Sequence, residues 1–348
     1  MENVIERIGV LLTRLQSADF YEREEAVKEL STHTEDEAVA GLVLAIEDPD
    51  LGIRELAADY LAQIKGPTAA QLLIRFLGHD DIGSRNLASE ILVRIGSEAV
   101  PSLIEEINND DHDVRKFIVD TLGLIQDPRA VGVLCEKLWD NNSNVVCSAA
   151  EALGEIGAPE AVPHLIAAFK KSDDVQLQAI EALGKIGDPS ALEDLYEVMG
   201  VNDPIIQYAV IEAIGNIGQK ESLAKLAPCL KSDERLIGEA AMMAGIRISA
   251  RYRFKTEIEL PLEDYLEFLF DGMRNRNREI TDFMLERLRD WHPTSVLQGL
   301  LDVIDYVDEE TVKQITEILT DAGPEVGEIL VRKLFRASTG LKLKLLDI

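Results

Sequence analysis

An acidic side chain recurs at one position of a sequence repeat, and this acidic column is the clearest candidate for chemistry in the chain. The residue two places before a recurring leucine is acidic in eight of ten repeats. The column reads Lys28, Asp59, Glu90, Asp120, Glu151, Glu181, Glu212, Met242, Glu286 and Glu317. Carboxylates on helices stacked about 8–10 Å apart repel one another only weakly, since the Debye length is about 8 Å at physiological salt. The column therefore predicts collective binding of a polycationic partner.

A neighbouring position of the repeat changes from polar to apolar in the middle of the chain. The first four repeats have Glu24, Glu55, Asn86 and Lys116 there, and the next three have Cys147, Leu177 and Tyr208. A basic amphipathic segment needs such apolar anchors beside carboxylates. We predict a partner site made of Cys147, Leu177, Tyr208, Glu151, Glu181 and Glu212, extended by Asp59, Glu90 and Asp120. The alternative is a solvated helix face, because glutamate is a good helix former.

A third column predicts where that acidic surface is left unbalanced. Seven residues before the recurring leucine stand Arg23, Arg54, Arg85 and Arg115, followed by Val146, Gln176 and Gln207. Each arginine accompanies an aspartate at the start of its helix, which predicts Asp–Arg pairs in the first four repeats. We expect Glu151, Glu181 and Glu212 to lack a nearby arginine.

The elements that position these columns follow from the period of the repeat. The recurring residues are 30 or 31 positions apart over the first seven repeats: Leu30, Leu61, Leu92, Leu122, Leu153, Leu183 and Ile214. Apolar residues at Val175, Ala179, Leu183 and Ile186 mark one face of a helix, and Gly187 is typical of a helix C-terminus. Strand signals are absent. Each repeat is predicted to form two antiparallel helices, and such repeats bury their apolar faces by stacking.

The turn between the two helices has its own polar column. It contains Asp19, Asp50, Asp81, Asp111, Asn142, Ser172, Asp203 and Asp233, with Asn277 and Asp308 in later repeats. These residue types accept hydrogen bonds from free backbone N–H groups, which predicts helix N-caps. The dense stretch at 108–113 lacks the spacing and the glycine of a calcium loop, so we expect no metal there.

The phrases ALGEIGAPEAVPHL and ALGKIGDPSALEDL, with the Asp113-Val114-Arg115 opening, resemble HEAT repeats. The short period is similar to the bacterial type first associated with phycobilisome lyases. The resemblance covers residues 19–245 and implies an all-α, right-handed α-solenoid of about ten to eleven antiparallel helix pairs. It also implies that the second helices line a concave surface. Such repeats serve many unrelated roles, so the resemblance defines an architecture better than an activity.

The register predicts three segments: a repeat array at 1–246, an irregular basic insert at 247–275 and further repeats at 276–348. The bases around the insert either balance local acids or form a docking loop for an acidic group, with Tyr252, Phe254, Trp291 and His292 nearby. The ending LKLKLLDI resembles the opening of another repeat with Thr339 at the cap position. We therefore expect the natural protein to continue beyond Ile348.

Composition narrows the class of partner. The formal net charge of −29 argues against nucleic acid or an anionic membrane as the target, and a hydrophobic content of 46% argues against wholesale disorder. No apolar run reaches the length of a membrane span. Three cysteines without a regular spacing indicate a reducing, cytoplasmic setting.

No motif of a known enzyme class stands out. The chain has no phosphate loop, no nucleophile elbow and no HExxH motif, and none of its five histidines precedes a glutamate as in HEAT-like deoxyhypusine hydroxylases. We expect no cofactor and no catalysis. The predicted function is a cytoplasmic, bacterial scaffold or adaptor for a protein or peptide. The alternatives are a bilin lyase-like, chromophore-handling protein and a regulatory module of a larger signalling protein.

Overall fold

Each repeat of the sequence folds as two helices joined by a short turn. The computed structural model describes residues 2–64, 66–252, 260–288, 294–321, 327 and 331, and within them it contains helices and no strand. The chain forms two compact units, residues 1–191 and residues 192–348. The predicted segment boundaries at 246/247 and 275/276 thus differ from the division into compact units, which falls between helix pairs.

The first unit contains six consecutive helix pairs. Its helices are α1 (Glu2–Arg14), α2 (Phe20–Leu30), α3 (Asp36–Ala45), α4 (Leu51–Leu61), α5 (Pro67–Phe76), α6 (Ile82–Ile95), α7 (Val100–Glu106), α8 (His112–Ile125), α9 (Val131–Lys137), α10 (Ser143–Ile156), α11 (Val162–Lys171) and α12 (Gln176–Ile186). Short 3-10 segments at Gly96–Glu98, Pro128–Ala130, Pro159–Ala161, Asp173–Val175 and Pro189–Ala191 join several of them.

The second unit contains four pairs within the described residues. Its helices are α13 (Leu192–Val198), α14 (Pro204–Ile217), α15 (Ser222–Leu226), α16 (Arg235–Arg251), α17 (Leu266–Arg274), α18 (Arg278–Arg287), α19 (Thr294–Val303) and α20 (Glu309–Asp321). Two further 3-10 segments are Cys229–Lys231 and Leu262–Tyr265.

The recurring apolar residue of the repeat lies in the core at every step. Relative exposure is 0% for nine of the ten positions and 1% for the tenth; they are Leu30, Leu61, Leu92, Leu122, Leu153, Leu183, Ile214, Ala244, Leu288 and Leu319. Nine of them stand in the last turn or at the C-terminal boundary of a second helix, and Ala244 stands in the middle of α16. The predicted fold class, an all-α solenoid of antiparallel helix pairs, is confirmed.

The predicted N-caps are confirmed at eight positions. Side chains accept backbone N–H groups at Asp19, Asp50, Asp81, Asp111, Asn142, Asp203, Asn277 and Asp308. The prediction is wrong at Ser172, which makes no capping bond because a 3-10 turn follows it. It is also wrong at Asp233, because α16 begins one residue later with Glu234 in the cap position.

Arg23 and Arg115 of the arginine column form ion pairs, but not with the predicted partner, and within the described residues Arg54 and Arg85 form none. Arg23 binds Asp48 side-on, with Nε at 2.7 Å and Nη2 at 3.1 Å from the carboxylate oxygens. Arg115 binds Asp140 in the same way at 2.9 and 2.7 Å. Each aspartate lies in the turn of the following pair, so the arginine joins consecutive repeats. The cap carboxylates are instead occupied by the N–H groups of their own helices.

Burial acts to raise the pKa of Asp140, and hydrogen bonds from Arg115 and from the Asn142 N–H outweigh that effect, so the pKa lies below its usual value. Arg115 also donates to the backbone oxygens of Asn109 and Asp110 at 2.9 and 3.1 Å. The guanidinium of Arg115 therefore links the turn before its own helix, α8, to the turn before α10. A charged group buried in this way needs such complete pairing to be tolerated.

The glycine of the ALG phrase allows second helices to pack backbone against backbone. A Cβ on Gly123 of α8 would stand 2.7 Å from the Cβ of Ala152 in α10. A Cβ on Gly154 of α10 would stand 2.9 Å from the Cα of Ala182 in α12. Glycine of one repeat thus faces alanine of the next. This contact was not predicted from the sequence, although the repetition of both residue types was its signal.

The same end of the helix also uses glycine for its backbone conformation. Gly157 and Gly187 end α10 and α12 with φ of 71° and 75°, in the left-handed region, as predicted for Gly187. Gln126 stands at the corresponding end of α8 with φ of 57°. An L-residue with a Cβ is disfavoured in this conformation, so Gln126 is an exception to the preference for glycine at this helix end.

The stretch predicted as an irregular insert is largely helical where the structure describes it. Helix α16 continues to Arg251, and α17 buries Leu269, Phe270 and Met273. The expectation of an irregular segment is therefore wrong, because these apolar residues have helical spacing although they are out of register with the repeat. Residues 253–259 and the C-terminal segment with LKLKLLDI and Thr339 lie outside the described residues.

Candidate protein-binding surface

The acidic column occupies one position on successive second helices of the first unit. We call Asp59, Glu90, Asp120, Glu151 and Glu181 the acidic column of this unit; they stand on α4, α6, α8, α10 and α12. All are exposed except Asp120, which is half-buried. Because these helices stack on one another, the five carboxylates recur once per helix along one face of the unit.

Pairing divides this column into two parts. Asp59 accepts from Arg94 at 2.7 Å, and Asp120 accepts from Lys116 one turn earlier at 2.7 Å. Within the described residues, Glu90, Glu151 and Glu181 are in no ion pair and no side-chain hydrogen bond. The structure therefore leaves unbalanced negative charge on α6, α10 and α12, as the sequence predicts for Glu151 and Glu181.

The predicted apolar strip is only partly available in the first unit. Cys147 and Leu177 are both half-buried on α10 and α12. The Cys147 thiol donates to the backbone oxygen of Asp174 at 3.3 Å. Burial raises the pKa of this thiol, and the charges of Glu151 and Asp174 raise it further. The strip thus offers small apolar patches beside the two unpaired glutamates.

The second unit contains the remaining predicted residues, and one expectation there is wrong. Glu212 on α14 accepts from Arg247 at 2.7 Å, and Arg247 also binds Glu279 at 3.1 Å. Glu212 therefore does have a nearby arginine, supplied by the next second helix. Tyr208 is 38% exposed on α14, and the pKa of its hydroxyl is raised by burial and by Glu212. In the same column, Met242 is buried and Glu286 and Glu317 are exposed.

The basic residues around the predicted insert are mostly used inside the second unit. Arg251 donates to the backbone oxygens of Gly215, Asn216 and Gly218 at the end of α14. Other contacts in this region are Arg274 with Asp271, Arg276 with the Tyr306 backbone oxygen, and Arg278 with Asp282. These contacts support the interpretation that the bases balance local groups. Arg253, Phe254, Lys255, Arg289, Trp291 and His292 lie outside the described residues.

The exposed cluster of Asp111, His112 and Asp113 brings three potential metal ligands together. Asp111 already accepts the Asp113 N–H at 2.8 Å as the N-cap of α8, and His112 stands 3.1 Å from the Asp113 carboxylate. The cluster is thus explained by capping and by a surface contact. No helix in the described part of the chain has the length and apolar character needed to cross a membrane.

Fold and repeat together define an α-solenoid protein. More particularly, the chain belongs to the HEAT-repeat family, whose sequence profile matches residues 8–93, 100–175 and 166–244. A search of curated proteins gave no match.

Several solved structures are similar in fold. An engineered protein is 19% identical over 98% of this chain and 97% of its own, with a TM-score of 0.40. A structure of Kap95p with RanGDP is 14% identical over 98% of this chain and 50% of the matched chain, with a TM-score of 0.48. The complex of CpcE and CpcF of phycocyanin lyase from Nostoc sp. PCC7120 is 20% identical over 70% and 94%, with a TM-score of 0.30. At these values none of them carries an argument about function.

Proposed function

We propose that the protein is a non-catalytic scaffold or adaptor that binds a basic amphipathic segment of a partner protein through the acidic column of its first unit. The observation that carries this proposal is the pair Glu151 and Glu181. Both are exposed, they stand on adjacent second helices, and neither is in an ion pair within the described residues. A cytoplasmic location and the absence of catalysis and of a cofactor belong to the same proposal.

The spacing of the two carboxylates supports this function. The contact of Gly154 with Ala182 brings α10 and α12 to the close end of the usual range, about 8 Å between axes. Two carboxylates on helices at that spacing, neither of them in an ion pair within the described residues, produce a local negative potential that salt screens only in part. A partner helix with lysine or arginine one or two turns apart brackets this spacing, because one turn rises about 5.4 Å and two turns rise about 11 Å.

The remaining predicted residues are expected to contribute to partner binding to different degrees. Cys147 and Leu177 supply apolar contact beside the two glutamates, and exposed Glu90 extends the charge toward the N-terminus. Asp59 and Asp120 contribute less, because a partner must displace Arg94 or Lys116 to use them. In the second unit, Tyr208 supplies an exposed aromatic ring, whereas Glu212 is already neutralised by Arg247.

A peptide-display selection followed by affinity measurement tests the proposal. We expect helical peptides selected on the whole chain to have basic residues on one face and apolar residues beside them. Their affinity, measured by fluorescence anisotropy, should fall at least tenfold for the double variant Glu151→Lys and Glu181→Lys. A tenfold loss corresponds to about 1.4 kcal/mol, a modest demand for two reversed charges.

A matched control makes the same charge change elsewhere. Glu105 on α7 and Glu160 in the turn before α11 are exposed and lie outside the column. The double variant Glu105→Lys and Glu160→Lys should retain the affinity within about twofold, with far-UV circular dichroism confirming the fold of both variants. The proposal is refuted if the selected peptides bind the Glu151 and Glu181 variant as tightly as the control.

A further inference from the structure

Two arginines of the first unit have no carboxylate partner, although their counterparts do. Arg54 on α4 and Arg85 on α6 occupy the position that Arg23 has on α2 and Arg115 has on α8. Both are half-buried, and the Nε of each is shielded from solvent without a hydrogen-bond acceptor. Within the described residues neither guanidinium makes a hydrogen bond. We call these two positions the open arginine slots.

The same position is filled at Arg23 and Arg115, and these filled slots show which group it binds. In each filled slot an aspartate, Asp48 or Asp140, stands two residues before the N-cap of the next second helix, and its carboxylate makes two kinds of contact. It receives the arginine side-on, and one of its oxygens accepts the N–H of the cap residue, at 2.9 Å for Asp48 and 3.0 Å for Asp140. The side chains of these aspartates are only 5% and 6% exposed. The position is thus built for a bidentate carboxylate, the geometry that a guanidinium favours.

The residues that replace aspartate in the open slots cannot supply a carboxylate. The first is His79, whose Nδ1 accepts the Asp81 N–H at 3.2 Å and whose Nε2 lies 2.9 Å from Glu47. The second is Asn109, whose Oδ1 accepts the Asp111 N–H at 3.0 Å. Both keep the turn contact of the aspartate and lose its charge. The slots are open because of these two substitutions in the repeat.

Nearby groups do not compensate for the missing carboxylates. Asp81 lies close enough to Arg54 for their charges to interact, but its Oδ2 is held by the Ser84 N–H and hydroxyl at 2.8 and 3.1 Å. Arg85 has the Phe117 ring at 5.6 Å, a contact that leaves the donors in its plane unused. A buried donor without an acceptor destabilises the fold. A ligand carboxylate that moves the neighbouring side chains aside would therefore gain this hydrogen bond.

Exposed apolar side chains accompany the open slots. Leu51 and Ile82 precede Arg54 and Arg85 by three residues, so each stands on the same helix face as its arginine. They are 60% and 63% exposed, which is unusual for such large apolar residues. Each slot therefore combines one anion-binding group with one apolar contact on adjacent second helices.

We propose that the open arginine slots bind two carboxylate side chains of an acidic amphipathic segment of a partner protein. The carboxylates would lie about 8–10 Å apart, the distance between stacked helices, with apolar side chains between them on Leu51 and Ile82. This partner chemistry differs from that of the acidic column. The net charge of −29 and the capping aspartates beside the slots oppose polyanions, which favours a segment with isolated carboxylates.

The test uses the whole chain and a designed peptide. The probe is a 15-residue helical peptide with glutamates seven positions apart, about 10.5 Å along its axis, and leucines between them. A matched peptide has glutamine at both positions. In chain labelled with ¹⁵N-arginine, we expect the glutamate peptide to shift the Nε–H signals of Arg54 and Arg85 and to leave those of Arg23 and Arg115 unchanged. The glutamine peptide should shift none of them.

Two double variants and a control complete the experiment. Arg54→Gln with Arg85→Gln removes the guanidiniums, and His79→Asp with Asn109→Asp fills the slots from within, as in the first and fourth repeats. Each should weaken peptide binding at least tenfold, whereas Arg75→Gln with Arg94→Gln should change it less than twofold. Unshifted Nε–H signals at saturating peptide, or unchanged affinity in either slot variant, would overturn the proposal. A shift with inorganic phosphate and none with the peptide would also overturn it.

Discussion

The substitution Gly154→Ala tests whether second helices are held together by direct backbone contact. The added Cβ would stand 2.9 Å from the Cα and 3.0 Å from the Cβ of Ala182, whereas carbon atoms in good contact are about 3.5–4.0 Å apart. The axes of α10 and α12 must therefore separate by roughly 0.5–1 Å. Such overpacking costs about 1–3 kcal/mol.

The intrinsic helix propensity acts in the opposite direction. Alanine is about 1 kcal/mol more favourable than glycine inside a helix, so the net effect of Gly154→Ala is a destabilisation of about 0–2 kcal/mol. Gly9 in the middle of α1 provides the matched control, because a Cβ there meets nothing within 4 Å. Gly9→Ala should stabilise the chain by about 1 kcal/mol. The two identical substitutions should thus differ by about 1–3 kcal/mol.

Urea unfolding followed by far-UV circular dichroism measures this difference. Because repeat proteins open locally, hydrogen exchange of the α10 and α12 amides should accompany it and should accelerate in Gly154→Ala. The wider helix spacing should also weaken peptides selected for Glu151 and Glu181. Backbone contact at Gly154 is refuted if Gly154→Ala stabilises the chain as much as Gly9→Ala does.

Two further outcomes are expected in the first unit. Gln126→Gly should stabilise the chain by about 1 kcal/mol, because residue 126 ends α8 at φ of 57°, where α10 and α12 have glycine. The urea midpoint should therefore rise in Gln126→Gly and fall in Gly157→Gln. An unchanged midpoint for both variants would contradict this expectation. Glu151→Gln should lower the pKa of the Cys147 thiol, because burial and then Glu151 raise it. In this variant, alkylation of Cys147 by iodoacetamide, measured by mass spectrometry, should become faster at a given pH. The midpoint of the rate's pH dependence should move to lower pH. The paired Glu155, bound to Lys185 at 2.6 Å, is the control, and equal rates in Glu151→Gln and Glu155→Gln would count against the contact.

Much of the architecture is predictable because it depends on local rules. The buried series from Leu30 to Leu319 follows from the helical period, and the caps from Asp19 to Asp308 follow from free N–H groups at helix starts. The two exceptions, Ser172 and Asp233, occur where a 3-10 turn or a shifted helix start changes the position of those N–H groups. No sequence period distinguishes these starts from the others.

The candidate site is less predictable, because an acidic column does not reveal which of its members are paired. Glu151 and Glu181 are unpaired as predicted, whereas Glu212 on the same column meets Arg247, which stands 35 residues later. Likewise, Arg23 has Asp19 four residues before it in the sequence and binds Asp48, 25 residues away. The choice among carboxylates depends on which turn of the next helix pair comes within about 3 Å, a distance that the order of residues does not contain.

The sequence by itself determined the repeat, the helix pairs, the buried series and the family, because each depends on patterns within about one repeat length. Only the tertiary structure decided that the glycine of ALG is a helix contact, that Arg54 and Arg85 are left without partners, and that Glu212 is paired. These properties depend on the separation of neighbouring helices. That separation results from the packing of many side chains at once, and a change of less than 1 Å is enough to make or break a hydrogen bond.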